Sequence, residues 1–441
     1  MSGLPTASLR ESVQVLAGAL LPSVARGLFS PRRRMLAWLT KADADARTVR
    51  LLGRLRSKHG GEGLRVLRGR MVVVWGRDAL HEVLDHSATT YASDAGAKAK
   101  GMSHFQPDAL TLSRGDAWRD RRAFAEHVLA TGERVHPSGA RFLAVVADEV
   151  DRLRIGDRLA WADWEKLWDR ITLRVVFGDR ARDEQALTGL LEQLMKEANR
   201  LAGLSPNDAY YELYGKLERH LIDPEPDTLV ARIADAPQSD RTRIAQQIPH
   251  WMFAMRDTLG ANAFRALAAI TADPALERRV REELAGADLA DPQAVAGLAV
   301  LQGAFHEAMR LWPTTPLLAR EATADTTLAG EPVAEGTQVL IVNAFNHRDT
   351  AAVPDADRLV PERWHGDGER DYRFNHLANG TQWCPGEPLV LLLGQAVLAR
   401  VLEEHALEPE DPSLTGGGPL PHMLDFYRLT LRASRREEAR P

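Results

Sequence analysis

The chain has 441 residues, 44% of them apolar and 27% charged, close to the globular norm, which excludes wholesale disorder, collagen and coiled coil. Lys plus Arg number 56 against 61 Asp plus Glu, a formal charge of -5, so no global basic field gathers nucleic acid. The single cysteine, Cys384, excludes an internal disulfide and any site built on several thiolates, and it fits a reducing compartment.

The most apolar N-terminal stretch, residues 13–29, is broken by Gly18, Pro22, Ser23 and Arg26 and falls short of the ~20 continuous apolar residues of a membrane span. Arg32, Arg33 and Arg34 follow this run, whereas a signal peptide carries its basic residues before it, so a cytoplasmic location is expected. The arginine run reads as a solvated loop, with a membrane-surface or partner patch as the alternative. Residues 64–75 predict a hairpin, with Arg68-Gly69 at its turn and Met71, Val72, Val73 and Val74 as a buried strand. Further strands are expected over 328–342, punctuated by Gly330, Pro332 and Gly336, and over 426–431. The remaining texture is amphipathic helix alternating with short polar loops, so the fold class is mainly α with minor β.

The longest helical pattern starts at Asp240 as N-cap and sets Ile244, Ile248, Trp251, Met252, Met255, Leu259, Phe264, Leu267 and Ile270 on one stripe. At about 1.5 Å per residue it spans ~48 Å, against an expected radius of gyration of roughly 22 Å, so it must be a central helix. Pro249 should kink it or start a second segment. Gly260, Ala261 and Ala263 leave a groove of small residues for either close helix packing or a bulky ligand.

Several polar residues in apolar surroundings need partners. Asp257 and Thr258 sit within the central helix; the carboxylate either faces solvent, pairs with Arg256, or works with the hydroxyl as a proton relay. Glu307 and Arg310 share a face of a helix predicted over 301–312, and Glu362-Arg363 after Pro361 can extend the pair into a three-member ionic network. His306-Glu307 opens like a zinc-binding His-Glu-x-x-His, but Arg310 occupies the second ligand position, so zinc is excluded there.

Cys384 stands in Leu377-Ala378-Asn379-Gly380-Thr381-Gln382-Trp383-Cys384-Pro385-Gly386-Glu387-Pro388, ahead of an apolar helix over 389–402. Gly380 and Gly386 permit positive φ or close approach of a flat ligand. A thiol at a helix N-terminus is biased toward thiolate, as nucleophile or metal ligand, the alternative being an inert buried cysteine. His376 is near in sequence, but nothing in the spacing puts it at the sulfur.

Together these segments resemble the cytochrome P-450 family of haem-thiolate monooxygenases, from about residue 60 to the C-terminus, with residues 1–60 as a helical extension and 61–441 as the catalytic domain. Trp118-Arg119-Asp120-Arg121-Arg122 resembles the family's W-x-x-x-R, Asp257-Thr258 its acid-alcohol pair, and Glu307-Ala308-Met309-Arg310 its E-x-x-R. Pro361-Glu362-Arg363-Trp364 is similar to its PER segment, and Gly380 to Gly386 to its haem-binding loop. The resemblance implies a triangular, helix-rich single domain with small sheets, and haem b ligated by Cys384. It further implies haem contacts from Gly380, Gln382 and Gly386, propionate contacts from Trp118, Arg122 and Arg320, and proton delivery by Asp257 and Thr258. Glu307, Arg310 and Arg363 would form a structural network.

By the same resemblance, His104 and Phe105 in the segment 101–106, with Met195, Asn199, Met255, Arg256, Leu259, Thr315 and Leu317, would wall a substrate pocket. The sequence departs from the family pattern in carrying Gln382 where a cation is usual, Leu377 where an aromatic is usual with Phe374 upstream, and Arg256 before the acid. Gly366-Asp367-Gly368-Glu369 lacks the strand-turn-helix context of a dinucleotide site, so electrons are expected from a separate ferredoxin and ferredoxin reductase. The expected activity is oxidation of a small organic molecule of secondary metabolism with dioxygen. Three alternatives stand beside it: a peroxygenase or an atypical coupling or nitration with Arg256 gripping an anionic substrate, a non-catalytic haem protein, and a haem-free thiol enzyme.

Overall fold

The computed structural model describes residues 3–94, 96–201, 204–366 and 370–435, so three of the four residues of Gly366-Asp367-Gly368-Glu369 lie outside the described residues. The fold is mostly helical with three small sheets. The 64–75 hairpin forms as its sequence requires: Gly63–Val66 pairs antiparallel with Met71–Val74, and Leu67, Arg68 and Gly69 all take positive φ to turn between them. Met71–Val74 then runs parallel to Gln338–Ile341, which pairs antiparallel with Leu318–Ala322, and Tyr91–Ala92 closes the five-stranded edge. Gly330 and Gly336 turn the chain with positive φ on either side of Glu331–Val333. The last strand is Thr430–Arg435, four residues later than the apolar alternation suggests, because Phe426 and Tyr427 pack on Trp161 instead of pairing.

The central helix starts at Ile248, not after Asp240. Pro249 occupies its first turn, where a missing N–H costs nothing, so it begins the helix and does not kink it. The helix then runs through Ile248–Phe253, a widened π-helical turn Ala254–Leu259, and Gly260–Ala272. The small-residue groove is filled by protein: Trp164 Nε1 donates to the Gly260 carbonyl at 2.8 Å, and a Cβ on Gly260 would stand 3.1 Å from the Trp168 ring. Close packing therefore accounts for the groove.

The helix Ala299–Leu311 and the largely buried helix Glu387–Glu404 flank Gly260–Ala272. The N-terminal segment is continuous with the sheet, since the Ala7 N–H donates to the Arg65 carbonyl and Ala7, Val15, Leu51 and Leu55 share a core cluster with Leu64, Val66 and Val73. No helix among the described residues is long and apolar enough to cross a membrane.

Candidate haem-binding site

The Cys384 loop is held from both sides. The Cys384 N–H donates to the Leu377 carbonyl at 2.8 Å, and Trp383 N–H to the Gly380 carbonyl at 3.1 Å. Gly380 is required: its φ is 67°, and a Cβ there would run into the Leu84 carbonyl. Gly386 differs from the sequence expectation, because its φ is -92° and a Cβ would meet only ordinary contacts at 3.7 Å or more. Its contribution is its N–H, which hydrogen-bonds the Cys384 sulfur.

Cys384 is half-buried. Burial of the sulfur pushes its thiol up to about 11, Glu387 adding to this while the Gly386 N–H, Arg122 and Arg370 pull the other way. The helix begins only at Glu387, three residues on, so its positive end does not make the thiolate expected from the sequence. A cationic metal would supply what the helix does not.

Arg122 ties the helix Gly115–Val128 to this loop. Its Nη1 donates to the Trp383 carbonyl at 2.7 Å, its Nε to Glu126 at 2.6 Å, and its buried Nη2 has no acceptor among the described residues. Trp383 is gripped by two guanidinium groups, Arg122 at 5.4 Å and Arg370 at 5.0 Å from the ring centre. Trp118 is half-buried on the same helix, and Gln382 is half-buried without a hydrogen bond to a described residue.

A chain of contacts leads from this loop to the central helix. Thr381 Oγ1 donates to the Leu84 carbonyl at 3.3 Å, and three residues further Ser87 Oγ accepts from Arg320 Nε at 2.9 Å. Arg320 is buried without a carboxylate partner, and burial pushes it down to about 10. Lys98 is pushed down to about 7, by burial first and then by Arg320, with Asp94 opposing, while its Nζ donates to the Thr111 carbonyl at 2.9 Å. Burial, with repulsion from Lys98, in turn holds His250 of the central helix near 4. Lys98 is the residue that sequence reasoning missed, since a lone lysine in a short helix carries no motif; only its proximity to an unpaired arginine reveals it.

Glu307 and Arg310 are fully buried and bidentate, at 2.6 and 2.8 Å. Arg310 also donates to the carbonyls of His347, Ala356 and Arg358, while Glu307 accepts from the Val360 N–H and Trp364 Nε1. Arg363 Nε lies 3.3 Å from Glu307. His376 meets not the sulfur but His306, at 3.0 Å.

The widened turn of the central helix presents Arg256, Asp257 and Thr258. Arg256 is buried and engaged on all sides: Asp169 lies at 2.5 Å, Asp257 at 2.6 Å, Glu165 at 3.6 Å and Glu192 at 3.7 Å. Burial works against its charge, but Asp257 and Asp169 outweigh it and hold the guanidinium above its ordinary range. Such an arginine cannot serve as the anchor for a substrate carboxylate that its sequence position suggests, because an incoming anion would meet four carboxylates. Burial lifts Asp257 to about 6, Arg256 opposing and Glu192, Asp169 and Glu165 adding to the lift. Thr258 is half-buried and makes no hydrogen bond with Asp257.

Among the pocket candidates, His104 is spent on Glu197 at 2.9 Å, and Asn199 is not a wall residue: its Oδ1 caps the N–H groups of Leu28 and Phe29, and its Nδ2 donates to the Ser30 carbonyl. Phe105 packs edge-on against Phe29 and Phe253. Met195, Met255 and Leu259 are buried in the main core, Leu317 is half-buried and Thr315 is exposed.

A Cytochrome P450 family model matches residues 165–416. The chain belongs to the cytochrome P450 family. It is similar to cytochrome P450 monooxygenase ptmK of Penicillium ochrochloron, 26% identical over 233 residues, covering 48% of this chain and 46% of that one. It is similar also to cytochrome P450 monooxygenase sphH of Aspergillus fumigatus, 28% identical over 249 residues, 51% of this chain and 46% of that one. A third relative is cytochrome P450 4V2 of Homo sapiens, 26% identical over 173 residues, 37% of this chain and 33% of that one. The chain spans about half the length of the first two relatives it matches, and less of the third.

The family implies a haem with a cysteine thiolate ligand, and the residues present fit one. Arg122 has an orphaned buried N–H, Arg320 has no counter-ion and Lys98 is driven toward neutrality, so the region is short of anionic groups that a porphyrin's two carboxylates would provide. Lys98→Met is expected to speed haem loss by about tenfold, in line with one charge-assisted contact, measured as transfer of haem to excess apomyoglobin. Equal loss rates would remove Lys98 from the site.

Proposed function

We propose that the protein is a haem-thiolate monooxygenase that oxidises a small organic molecule with dioxygen, its electrons coming from a separate ferredoxin-type partner. The observation that carries this reading is the Cys384 loop facing a set of buried cations that lack anions. The catalytic unit is residues 61–441, with 1–60 as a helical extension. Bound haem b would supply the activation of dioxygen and the oxygen transfer itself.

The chain's own residues do the rest. Cys384 donates thiolate sulfur to the iron, and the Gly386 N–H hydrogen-bonds that sulfur and tempers its charge. Arg122, Arg320 and Lys98 neutralise the propionates, with Trp118 as a further donor. Asp257, lifted to about 6, exchanges protons near neutral pH, and Arg256 holds its carboxylate in place at 2.6 Å. Thr258 offers the hydroxyl from which a proton reaches the oxygen side.

Asp257→Asn should lower turnover by about 10²-fold while substrate binding, read as a spectral shift, stays within twofold. The wild type holds this proton below about pH 6 and loses it above, so its rate should carry a limb titrating near that value. That limb should vanish in the Asn variant. Superimposable pH profiles would remove Asp257 from proton delivery.

A further inference from the structure

The helical run through Leu9–Val15, Leu16–Leu20 and Leu21–Ala25 is built inside out. Its buried face carries Glu11, Ser12 and Ser23 beside Val15 and Ala19. Glu11 is pinned by Lys58 at 2.7 Å and His59 at 3.1 Å, and Ser12 Oγ accepts the Leu67 N–H at 3.1 Å. The solvent face carries Leu9, Val13, Ala17, Leu21 and Val24, continued past the helix by Leu28. Successive members of that series are three or four residues apart, so those on the helix form one continuous stripe. Leu9 is 74% exposed and Leu21 62%. An ordinary surface helix has the opposite arrangement, and a contiguous apolar strip left in water marks a contact surface.

The next helix, Arg33–Lys41, adds exposed Met35 and Trp38, the latter 63% exposed. Leu28 is fixed in place by the hydrogen bond from its N–H to Asn199. In a chain of net charge -5, the segment 9–41 holds Arg10, Arg26, Arg32, Arg33, Arg34 and Lys41 against Glu11 alone. Arg10, Arg34 and Lys41 are exposed and make no ion pair among the described residues, and Arg32 donates only to the carbonyls of Val24, Ala25 and Asn199.

We propose that residues 9–41 form a peripheral docking surface for an anionic membrane, the apolar stripe and Trp38 lying in the boundary between headgroups and acyl chains while the arginines meet lipid phosphates. An interfacial amphipathic segment needs this combination of apolar face, interfacial tryptophan and flanking cations. A second copy is a poorer occupant, because a two-fold contact would set the same cations against each other. The surface is separate from the haem site and does not depend on the reaction proposed above.

The test uses the full, haem-loaded protein in flotation with vesicles of phosphatidylcholine alone or mixed with phosphatidylglycerol. Binding is expected with the anionic vesicles, weak with the neutral ones, and reduced several-fold by high salt. The double variant Val13→Asp/Leu21→Asp changes only exposed positions, so it should keep the wild-type absorption spectrum and unfolding midpoint yet lose at least about tenfold in vesicle affinity. Arg32→Gln/Arg34→Gln should lower binding to the anionic vesicles only. The proposal is overturned if the wild type floats with neither vesicle, if both variants bind as it does, or if light scattering shows a lipid-free dimer that the double aspartate variant dissolves.

Discussion

Cys384→Ser is expected to fold to wild-type helix content and to lose both the red-shifted carbon monoxide band of thiolate ligation and all turnover. The substitution keeps the backbone N–H bond to the Leu377 carbonyl, and the side chain is half-buried at a loop whose shape is set by Gly380 and Leu84, so little in the fold depends on the sulfur itself. What is lost is the soft, charge-donating ligand; a serine oxygen is a far weaker donor to iron. The check is the reduced carbon monoxide spectrum beside far-ultraviolet circular dichroism of the same sample. An unchanged band would place the ligand elsewhere and remove the basis of the functional reading.

Glu307→Ala is expected to destabilise the protein by about 3–5 kcal/mol, the usual cost of stripping one partner from a buried ion pair, out of a typical total of about 5–15 kcal/mol. Arg310 would keep its charge in a fully buried position with only backbone carbonyls around it. Arg310→Lys should fare little better, because one ammonium cannot replace a planar fork that reaches Glu307 and three carbonyls at once. The paired replacement Glu307→Leu/Arg310→Met should recover part of the loss by removing both charges. Denaturant midpoints at unchanged slope measure all three, and a Glu307→Ala loss under about 1 kcal/mol would show the network to be dispensable.

Local signals reached some elements and not others. The 64–75 hairpin was legible because β-branched residues flank a turn that its own glycine completes, and the E-x-x-R pair because a three-residue helical spacing forces the contact. The start of the central helix was not, since Asp240 and Pro249 both carry start signals and only tertiary packing chooses between them. Tertiary partners also decided the site. Arg256 looks free in sequence, yet Glu165, Asp169 and Glu192 reach it from helices more than sixty residues away in the chain. The Cys384 thiol was misjudged because a helix beginning at Glu387 is close in sequence but too far along the chain to outweigh burial.

The widened turn at Ala254–Leu259 has a consequence for how this chain tolerates change. The Gly260 N–H reaches back to the Met255 carbonyl, one residue further than in a regular helix. Deleting one residue there would restore the regular pitch and rotate everything downstream by about 100°, swinging Gly260 away from Trp164 and Trp168 and the Gly260–Ala272 face away from Ala299–Leu311. The spare residue thus acts as a vernier between two halves of one rod. Side chains in the acid-bearing half can be exchanged without disturbing the packed half, but the count of residues between the halves cannot be altered.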